Sequence, residues 1–527
     1  MKPSSLGTLI PILVAAVFIA LMQPLCAADK GINTAYASQL TAAHPPCNLS
    51  TGRTASGTAC VDDTEVLNAF LSKATESSPV RLIQDMGSLV TGLKLPTSGH
   101  VTIECSGWDD GYFVAPGSNA HVIRNVPAPD GYSVSGTPGP AGSNVQIKDC
   151  RINGNRGNGA TGNANSGDAR KSPKGNWLFG IYLDNLQHVR LLHNWIYDAP
   201  TFGILCNACT DAVFDGNRLD APSQQINQDG IHVDGPSNQI RISNNWCNTP
   251  DDCIAMNAAE GYGGAIDGVS VTNNQCVGCL TAYRQLSNEE GAMTNAPVRN
   301  VIISDYAGTL KDSSGVIAVA LRLGEVHEGS TRTDIMQGVQ AMNLAFSSES
   351  PDAYMIEIDD NLGTLDVNGL TWNSPRGASA LLNFRAPATV SSVSLRDVRI
   401  MRNYDGHMGA YPVNVPRGCT IQNLHLNGIA IENQTRESYP PVSGLVTVPE
   451  GGEISNLDLE ALDPTNIKAL ASADDYKRIR RLQGPGLAAT GFPVPDVIVP
   501  NLVPYISGTP PQEGKFCVKR NGTPACF

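Results

Sequence analysis

Basic residues are scarce in this chain, and so are charged and aromatic residues as a whole. Its 527 residues include 36 Lys and Arg against 49 Asp and Glu, which gives a formal net charge of −13. This acidic balance argues against a nucleic-acid partner, because phosphate binding needs a basic face. Charged residues make up 16% and hydrophobic residues 41% of the chain, which is too apolar for a disordered protein and too mixed for a multi-span membrane protein. With 52 Gly and 35 Pro spread along the chain, the composition indicates a turn-rich, extended β protein.

Long apolar runs are absent after the N-terminal segment. There, Lys2 precedes an apolar run from Leu9 to Met22, and the small residues Cys26 to Ala28 follow it. A basic start, an apolar core and a small-residue exit are the parts of a cleavable signal peptide. We therefore predict that residues 1–28 are a signal peptide, that the protein is secreted or periplasmic, and that it has no membrane association after cleavage. A membrane anchor is the alternative, although a span needs about 20 apolar residues.

Cysteine usage also favours export. Of 14 cysteines, 13 remain when Cys26 leaves with the signal peptide, so at least one thiol is unpaired within the chain. Two Cys-x-x-Cys pairs lack the His or Cys neighbours of a zinc finger, so we expect disulfides or buried thiols, and neither a metal nor a cofactor. The close pairs are Cys47/Cys60, Cys206/Cys209, Cys247/Cys253, Cys276/Cys279 and Cys517/Cys526.

A short phrase of the form Val-x-Ile-x-x-Asn recurs along the chain. Its copies end at Asn194, Asn217, Asn245 and Asn274, so the aligned asparagines are 23, 28 and 29 residues apart. Each copy follows another short strand with its own alignment. Repeats of two or three period-2 strands joined by Asn, Gly and Asp turns predict stacked coils whose asparagines form a hydrogen-bonded ladder.

The predicted fold is therefore all-β, a single-stranded right-handed parallel β-helix. An open end of such a cylinder needs a cover, and an amphipathic helix capped by Asp62 and Asp63 would provide it. We predict an N-terminal segment with this helix at residues 29–79, the β-helix at 80–465, and a Pro-rich C-terminal tail at 466–527.

Three aspartates are brought together by the repeat. Asp229 and Asp252 occupy the same slot in successive coils, and Asp251 directly precedes Asp252. Like charges this close are costly, so the cluster indicates a function rather than a turn. One carboxyl with a raised pKa and others that are ionised suit the acid/base hydrolysis of a glycosidic bond. A calcium site is the chemical alternative.

The surrounding motifs resemble a known family. Asn227-Gln228-Asp229-Gly230 and Pro250-Asp251-Asp252-Cys253 look like the paired motifs of polygalacturonase-type glycoside hydrolases of family 28, in the pectin lyase-like superfamily. The resemblance implies a β-helix, inverting hydrolysis and no cofactor. It implies Asp251 as the general acid, Asp229 and Asp252 as holders of the attacking water, and Asn227 as a substrate contact. Inverting carboxyls lie about 6.5–9.5 Å apart, and we expect that spacing here.

The chain departs from the family at two motifs. The family's Gly-His-Gly falls on Val277-Gly278-Cys279. His232 is the candidate to replace the missing histidine in part, as a substrate-binding residue, and an ordinary surface histidine is the alternative. The family's Arg-x-Lys clamp aligns with Arg322-Leu323-Gly324, which keeps the Arg and loses the Lys. Arg322 is predicted to bind substrate. Fixed positive charge is what uronate carboxylates require, so rhamnogalacturonan or a neutral glycan is as good a candidate as polygalacturonate.

Two other functions stay open on the same fold. A polysaccharide lyase or epimerase would need a base beside a uronate, and a non-catalytic carbohydrate-binding β-helix would use the aspartates for calcium or for nothing. In every case the partner is a polysaccharide and the protein is expected to be a monomer. Tyr182 and Tyr283 are candidates for sugar platforms facing the cleft, with burial away from it as the alternative. The loop with Arg170, Lys171 and Lys174 is interpreted as a solvated basic loop, and a lid that grips substrate is the alternative.

Overall fold

The coordinates are a computed structural model of the chain. They describe residues 31–42, 44–118, 120–125, 137–156, 177–224, 227–287, 296–313, 315–324, 336–350, 352–373, 379–385, 387–402, 411–433, 440–483, 517–520 and 523–526. The predicted signal peptide, most of the Pro-rich tail and the basic loop with Arg170 and Lys171 lie outside these residues.

Nearly all described strands pair in parallel with the strand one coil away, and the pairs form three long sheets. The longest strands turn a corner and take part in two sheets. These are Ile231–Ser243, Asp252–Thr272, Gln337–Ser348, Leu362–Asn373, Thr389–Arg402 and Thr420–Asn433. The predicted right-handed parallel β-helix is confirmed.

One sheet, which we call the site sheet, contains the starts of Ile231–Ser243 and Asp252–Thr272. Its other strands are Leu93–Lys94, Ile123–Arg124, Ile181–Asp184, Ile204–Asn207, Thr281–Leu286, Ala318–Leu323, Ala353–Ile358, Ala380–Phe384, Val413–Asn414 and Val446–Thr447.

The second and third sheets complete each coil. Besides the long strands, the second sheet has Asn33–Tyr36, Val80–Gln84, Gly99–Cys105, Gly142–Lys148, Leu186–Leu192, Thr210–Asp215, Val298–Ser304, Glu453–Glu460 and Ile479–Gln483. The third has Gly87–Val90, Gly111–Val114, Arg151–Asn153, Trp195–Tyr197, Arg218–Asp220, Trp246–Asn248, Gln275–Cys279 and Ala307–Leu310.

The core of the cylinder is a continuous stack of alternating apolar side chains. Column neighbours such as Ile204, Ile231 and Ile254 are each 0% exposed, and register pairs join them coil by coil. A single coil has no partner for its inward residues, so burial comes from stacking the coils. Among the described residues, no helix is long and apolar enough to span a membrane.

The predicted asparagine ladder is present at a corner of the cylinder. The side-chain oxygen of Asn245 accepts bonds from the backbone N–H of Asn217 at 2.8 Å and from its side-chain amide at 3.0 Å. Asn245 Nδ2 donates in turn to the Phe214 carbonyl at 2.9 Å and to Asn274 Oδ1 at 3.0 Å. These amides satisfy buried backbone groups at the corner, where the sheet hydrogen bonds are interrupted.

Replacing Asn245 with alanine should destabilise the protein by about 3 kcal/mol, because it leaves buried donors on Asn217 and the Phe214 carbonyl without partners. Urea unfolding followed by circular dichroism measures this. Gln275→Ala, at an exposed position one coil away, is the control and should change stability by less than about 0.5 kcal/mol. Equal effects of the two substitutions would contradict the ladder's role.

The N-terminal end of the cylinder is covered as predicted. A short helix spans Ala37–Leu40, and the amphipathic helix spans Thr64–Leu71, where Leu67 and Leu71 are buried in the core. Asp62, rather than the N-cap Asp63, makes the capping contacts, since its Oδ1 accepts from the backbone N–H and hydroxyl of Thr64.

Near the C-terminus the parallel pairing extends through Ile479–Gln483, after a 3₁₀ turn at Asp475–Arg478. Strands Cys517–Arg520 and Thr523–Cys526 then pair antiparallel. The domain boundary at residue 465 stays a prediction.

Disulfides join several of the close cysteine pairs. Cys47–Cys60, Cys206–Cys209 and Cys247–Cys253 are bonded, a pairing that the sequence left open. A further bond, Cys105–Cys150, links adjacent coils across 45 residues, and the spacing of close pairs gave no sign of it. Cys276 and Cys279 are buried thiols rather than a disulfide.

Candidate active site

The register of the site sheet brings the predicted aspartates together. Ile231 pairs with Ile254, and the same offset places Asp229 beside Asp252 in the next coil. The backbone confirms it, since the N–H of Gly230 donates to the Asp252 carbonyl at 2.8 Å. A Cβ at Gly230 would lie 2.4 Å from the Cys253 carbonyl oxygen, so this close approach requires glycine.

The three carboxyl groups converge at the entrance of these strands. Each of Asp229, Asp251 and Asp252 has a side-chain oxygen within 4.8 Å of an oxygen from each of the others. Asp229 and Asp252 are buried, whereas Asp251 is half-buried. These closest oxygens are nearer to one another than 6.5 Å, because adjacent coils lie one strand spacing apart. The expected separation of about 6.5–9.5 Å between the carboxyl groups stays a prediction.

Crowding and burial raise the proton affinity of this cluster. Burial, together with the neighbouring charges of Asp252 and Asp229, holds the pKa of Asp251 well above its ordinary value of 3.8. Burial and the charge of Asp252 raise the pKa of Asp229 to about 6, although His232 and Arg284 act to lower it. The site thus contains a half-buried carboxyl of raised proton affinity beside two buried carboxyls with cationic partners, His232 at Asp229 and Arg284 at Asp252.

His232 lies beneath the trio and is almost fully buried. Its Nδ1 is 2.7 Å from Asp229 Oδ2, and its Nε2 is 2.9 Å from Glu260 Oε2 and 3.1 Å from Asp234 Oδ1. The ring stacks on Phe202 with a centroid separation of 4.0 Å. The imidazole therefore faces carboxylates through both nitrogens, and its predicted contact with substrate stays a prediction.

The carboxylates around His232 favour its imidazolium form. Burial acts to lower the pKa of His232, but Asp234, Asp229 and Glu260 outweigh it and hold the pKa well above 6.5. Glu260 is half-buried, and burial acts to raise its pKa, but its bond and charge interaction with His232 lower the pKa to about 2. A charged histidine donating to Asp229 fixes the position of that carboxyl and stabilises its ionised form.

Arg284 is the site residue that the sequence interpretation missed. It follows Ala255 in the site sheet by one coil, and its Nη1 donates to Asp252 Oδ2 at 3.0 Å. Burial opposes its charge, but Asp252, Glu260 and Asp251 raise the pKa of Arg284 above its ordinary value.

The sequence alignment placed the next coil at Val277-Gly278-Cys279, but that segment belongs to the third sheet. The residue opposite Asp252 is Thr281, and the arginine follows it in the same strand. An arginine within a predicted strand, one coil after the aspartates, was the signal available in the sequence.

The other predicted residues lie at different depths. The backbone N–H of Asn227 donates to Asp251 Oδ2 at 3.0 Å, so this residue orients the half-buried carboxyl.

Tyr283 is 0% exposed and packs in the core, and Tyr182 is 2% exposed in an aromatic cluster, so neither is a sugar platform at the surface. Strand parity explains Tyr283, because it pairs with the inward Ile254.

Arg322 lies in the same outward column of the site sheet as Arg284, one coil further on. Its Nε donates to Glu357 Oε1 at 3.0 Å, and its Nη2 is 3.3 Å from the Ile317 carbonyl oxygen. Only 6% of its surface is exposed. The predicted binding role of Arg322 stays a prediction.

The loop that carries Asp251 and Asp252 is closed by the Cys247–Cys253 disulfide. This link ties the end of a third-sheet strand to the start of a site-sheet strand across the corner. The two aspartates therefore project from a short ring whose ends are both anchored in sheets.

Within the part of the chain that the structure describes, two groups of side chains have the spacing to hold a cation, namely the aspartate trio and the set of His232, Asp234 and Glu260. Positive charge is already provided to both groups by side chains. Arg284 donates to Asp252, and His232 lies between Asp229 and Glu260. These contacts neutralise carboxylates that a calcium ion would use as ligands.

The segment containing this site matches a family model. Residues 137–280 match that of glycosyl hydrolases family 28. The resemblance to family 28 is confirmed. A polygalacturonase of Medicago sativa is 27% identical to the chain over 151 residues, which is 27% of this chain and 33% of that protein. The match thus spans about one third of the relative's length.

Two solved structures are similar to the chain at low identity. The exopolygalacturonase of Yersinia enterocolitica is 14% identical, with a TM-score of 0.47 over 80% of this chain and 79% of that one. The endo-xylogalacturonan hydrolase of Aspergillus tubingensis is 12% identical, with a TM-score of 0.46 over 84% and 99%. Neither likeness bears on activity.

Proposed function

We propose that the protein is an exported glycoside hydrolase that cleaves a pectin-type or related polysaccharide by inverting acid/base hydrolysis. The observation that carries this proposal is the convergence of Asp229, Asp251 and Asp252, in which burial and neighbouring charge hold the pKa of Asp251 well above its ordinary value. A protonated carboxyl beside ionised carboxylates is what glycosidic hydrolysis requires.

In the proposed reaction, Asp251 gives its proton to the glycosidic oxygen as the bond from that oxygen to the anomeric carbon breaks. A water molecule held by Asp229 and Asp252 attacks the anomeric carbon and loses its proton to one of these carboxylates. Arg284 and His232 hold the two carboxylates in position through bonds of 3.0 Å and 2.7 Å. The carboxylate that took the proton of the water then releases it to solvent, and Asp251 regains a proton from solvent.

Substrate contacts are proposed at Asn227, His232 and Arg322. Asn227 adjoins the acid, since its backbone bonds to Asp251. His232 and Arg322 are both nearly buried, so their effect on substrate would pass mainly through the side chains that they hold, Asp229 and Glu357.

Inversion is proposed on the family resemblance and on the presence of two carboxylates beside the acid, because the short oxygen spacing does not support it by itself. Proton NMR of the first-formed products should show an anomer opposite in configuration to the cleaved linkage. An anomer of retained configuration would contradict inversion and would fit the close spacing of the carboxyls.

The same digestion separates the alternatives. Hydrolysis forms reducing ends without unsaturated products that absorb in the ultraviolet. Unsaturated products would identify a lyase, and retention of the glycan without cleavage would identify a binding protein.

We also propose that the protein is exported, that it is a monomer, and that residues 466–527 form a C-terminal tail. Removal of residues 1–28 as a signal peptide agrees with disulfides at Cys47–Cys60, Cys105–Cys150, Cys206–Cys209 and Cys247–Cys253, since such bonds persist outside the reducing cytosol. Mass spectrometry of the secreted protein would give its N-terminus, and light scattering its oligomeric state.

A further inference from the structure

The outward column of the site sheet continues beyond the aspartate trio. The register aligns Ala255, Arg284, Arg322, Glu357 and Asn383 in successive coils. Coils are about 4.8 Å apart, so this column forms a track along the cylinder axis that leads away from Asp252. A polymer lying along the sheet would place neighbouring sugar units over these residues.

Arg322 supplies no free positive charge to this track. Its guanidinium forms an ion pair with Glu357, whose side chain is only 4% exposed. Buried on both sides, the pair is screened little by solvent, and its charges cancel locally. A substrate carboxylate would have to compete with a protein carboxylate that already holds the arginine.

Further carboxylates lie beyond the pair. Asp359, two residues after Glu357, is 1% exposed, and its Oδ2 has no hydrogen-bond partner. Burial and the charge of Glu357 raise its pKa to about 7, although Arg322 and Arg385 act to lower it. The Arg385 guanidinium is 3.9 Å from that oxygen. An additional anion here would meet the buried carboxyl of Asp359, which already resists ionisation.

From this arrangement we infer that Glu357 is a specificity-determining residue, and that the saccharide unit lying over Arg322 is an uncharged sugar rather than a uronate. The inference rests on the proposed function and narrows its substrate class. Arg322 forms part of the floor of the track. Its ion pair with Glu357 keeps the Arg322 guanidinium from binding substrate carboxylates. A polymer of uninterrupted, unesterified uronate is then a poor substrate.

The test compares polygalacturonate with its carboxyl-reduced form, which has the same linkage without the charge. The wild-type protein should show kcat/KM at least about tenfold higher on the reduced polymer at low salt, the scale of one charge-assisted interaction. Added salt should raise activity on polygalacturonate and leave the neutral polymer unaffected, because screening acts only on charged substrate. Equal or higher kcat/KM on polygalacturonate would overturn the inference.

The variant Glu357→Gln tests the role of the ion pair directly. It keeps a side-chain oxygen near Arg322 but removes the competing charge, so the preference for the neutral polymer should fall by about tenfold. Glu453→Gln is the matched control, because Glu453 pairs with the exposed Arg480 in a strand of the second sheet. It should leave the preference unchanged.

The outcomes separate the two levels of the argument. If neither of these polymers nor any of a panel of pectin-type polysaccharides that includes rhamnogalacturonan yields reducing ends, the proposed hydrolase function fails. If hydrolysis occurs but Glu357→Gln changes the preference no more than Glu453→Gln does, the specificity role fails while the hydrolase function stands. Thermal melts of both variants show whether they fold. If Glu357→Gln does not fold, the comparison of the two polymers with the wild-type protein still decides the inference.

Discussion

Replacing Asp251 with asparagine is expected to reduce turnover by at least about a hundredfold while the β-helix stays folded, the usual scale for loss of a general acid. Asparagine has the same shape and can still accept the backbone bond from Asn227, but it carries no proton to donate to the leaving oxygen. Removing a carboxyl from the crowded trio also relieves repulsion, so stability should not fall.

Rates on the best polymer, measured from pH 4 to pH 9, provide the readout. In the wild-type protein the rate should fall at high pH as Asp251 loses its proton, since its pKa lies well above 3.8. This decline should vanish in Asp251→Asn. The control is Asp267→Asn, on the same strand but in the second sheet, where the carboxyl accepts a bond from Asn300. A variant at Asp251 with near wild-type turnover would exclude it as the acid.

Replacing Arg284 with methionine should cost about a hundredfold in turnover and shift the pH dependence upward. Arg284 donates to Asp252, and its charge acts to lower the pKa of both Asp229 and Asp251. Without it, a proton is retained more strongly on Asp229, whose pKa is already about 6. Since the water-activating carboxylate must be ionised, the rise of the rate with pH should occur at a higher pH than in the wild-type protein.

Arg241→Met is the control for this substitution. Arg241 pairs with Asp211 on the exposed face of the second sheet, so its loss removes an ion pair of the same type away from the site. A merely structural role for Arg284 would lower stability without moving the pH profile. An unchanged profile with lowered stability would therefore contradict the positioning of the carboxylates by Arg284.

The repeat made much of this structure predictable from sequence. Four aligned asparagines predicted the ladder because each serves the same corner of its coil, and Asp229 and Asp252 were aligned by the strands that follow them. Equivalent residues of successive coils can be aligned in the sequence where the coils have nearly equal lengths. The alignment is lost where a coil is longer than its neighbours.

Such a coil follows Asp252. Between Asn257 and Ile266 the chain makes an excursion, and the register with the preceding coil shifts after Asp234. The segment that aligns with the family's Gly-His-Gly, Val277-Gly278-Cys279, therefore lies in the third sheet. Arg284 lies in the site sheet of the same coil, where the motif alignment did not place it. Burial of His232 was equally hidden, because its surroundings, Phe202 and Glu260, come from different coils. Contacts between distant segments leave no period in the sequence.

The position of the trio within the cylinder has a consequence for how the protein tolerates damage. Stacked coils hold only their nearest neighbours, so unfolding starts at either end and advances one coil at a time. Several site-sheet strands separate Asp229 and Asp252 from each end, beginning at Leu93 on one side and ending at Thr447 on the other. Loosening of the outermost coils, by heat or by a protease, therefore leaves the register between these two aspartates intact until the interior coils themselves separate.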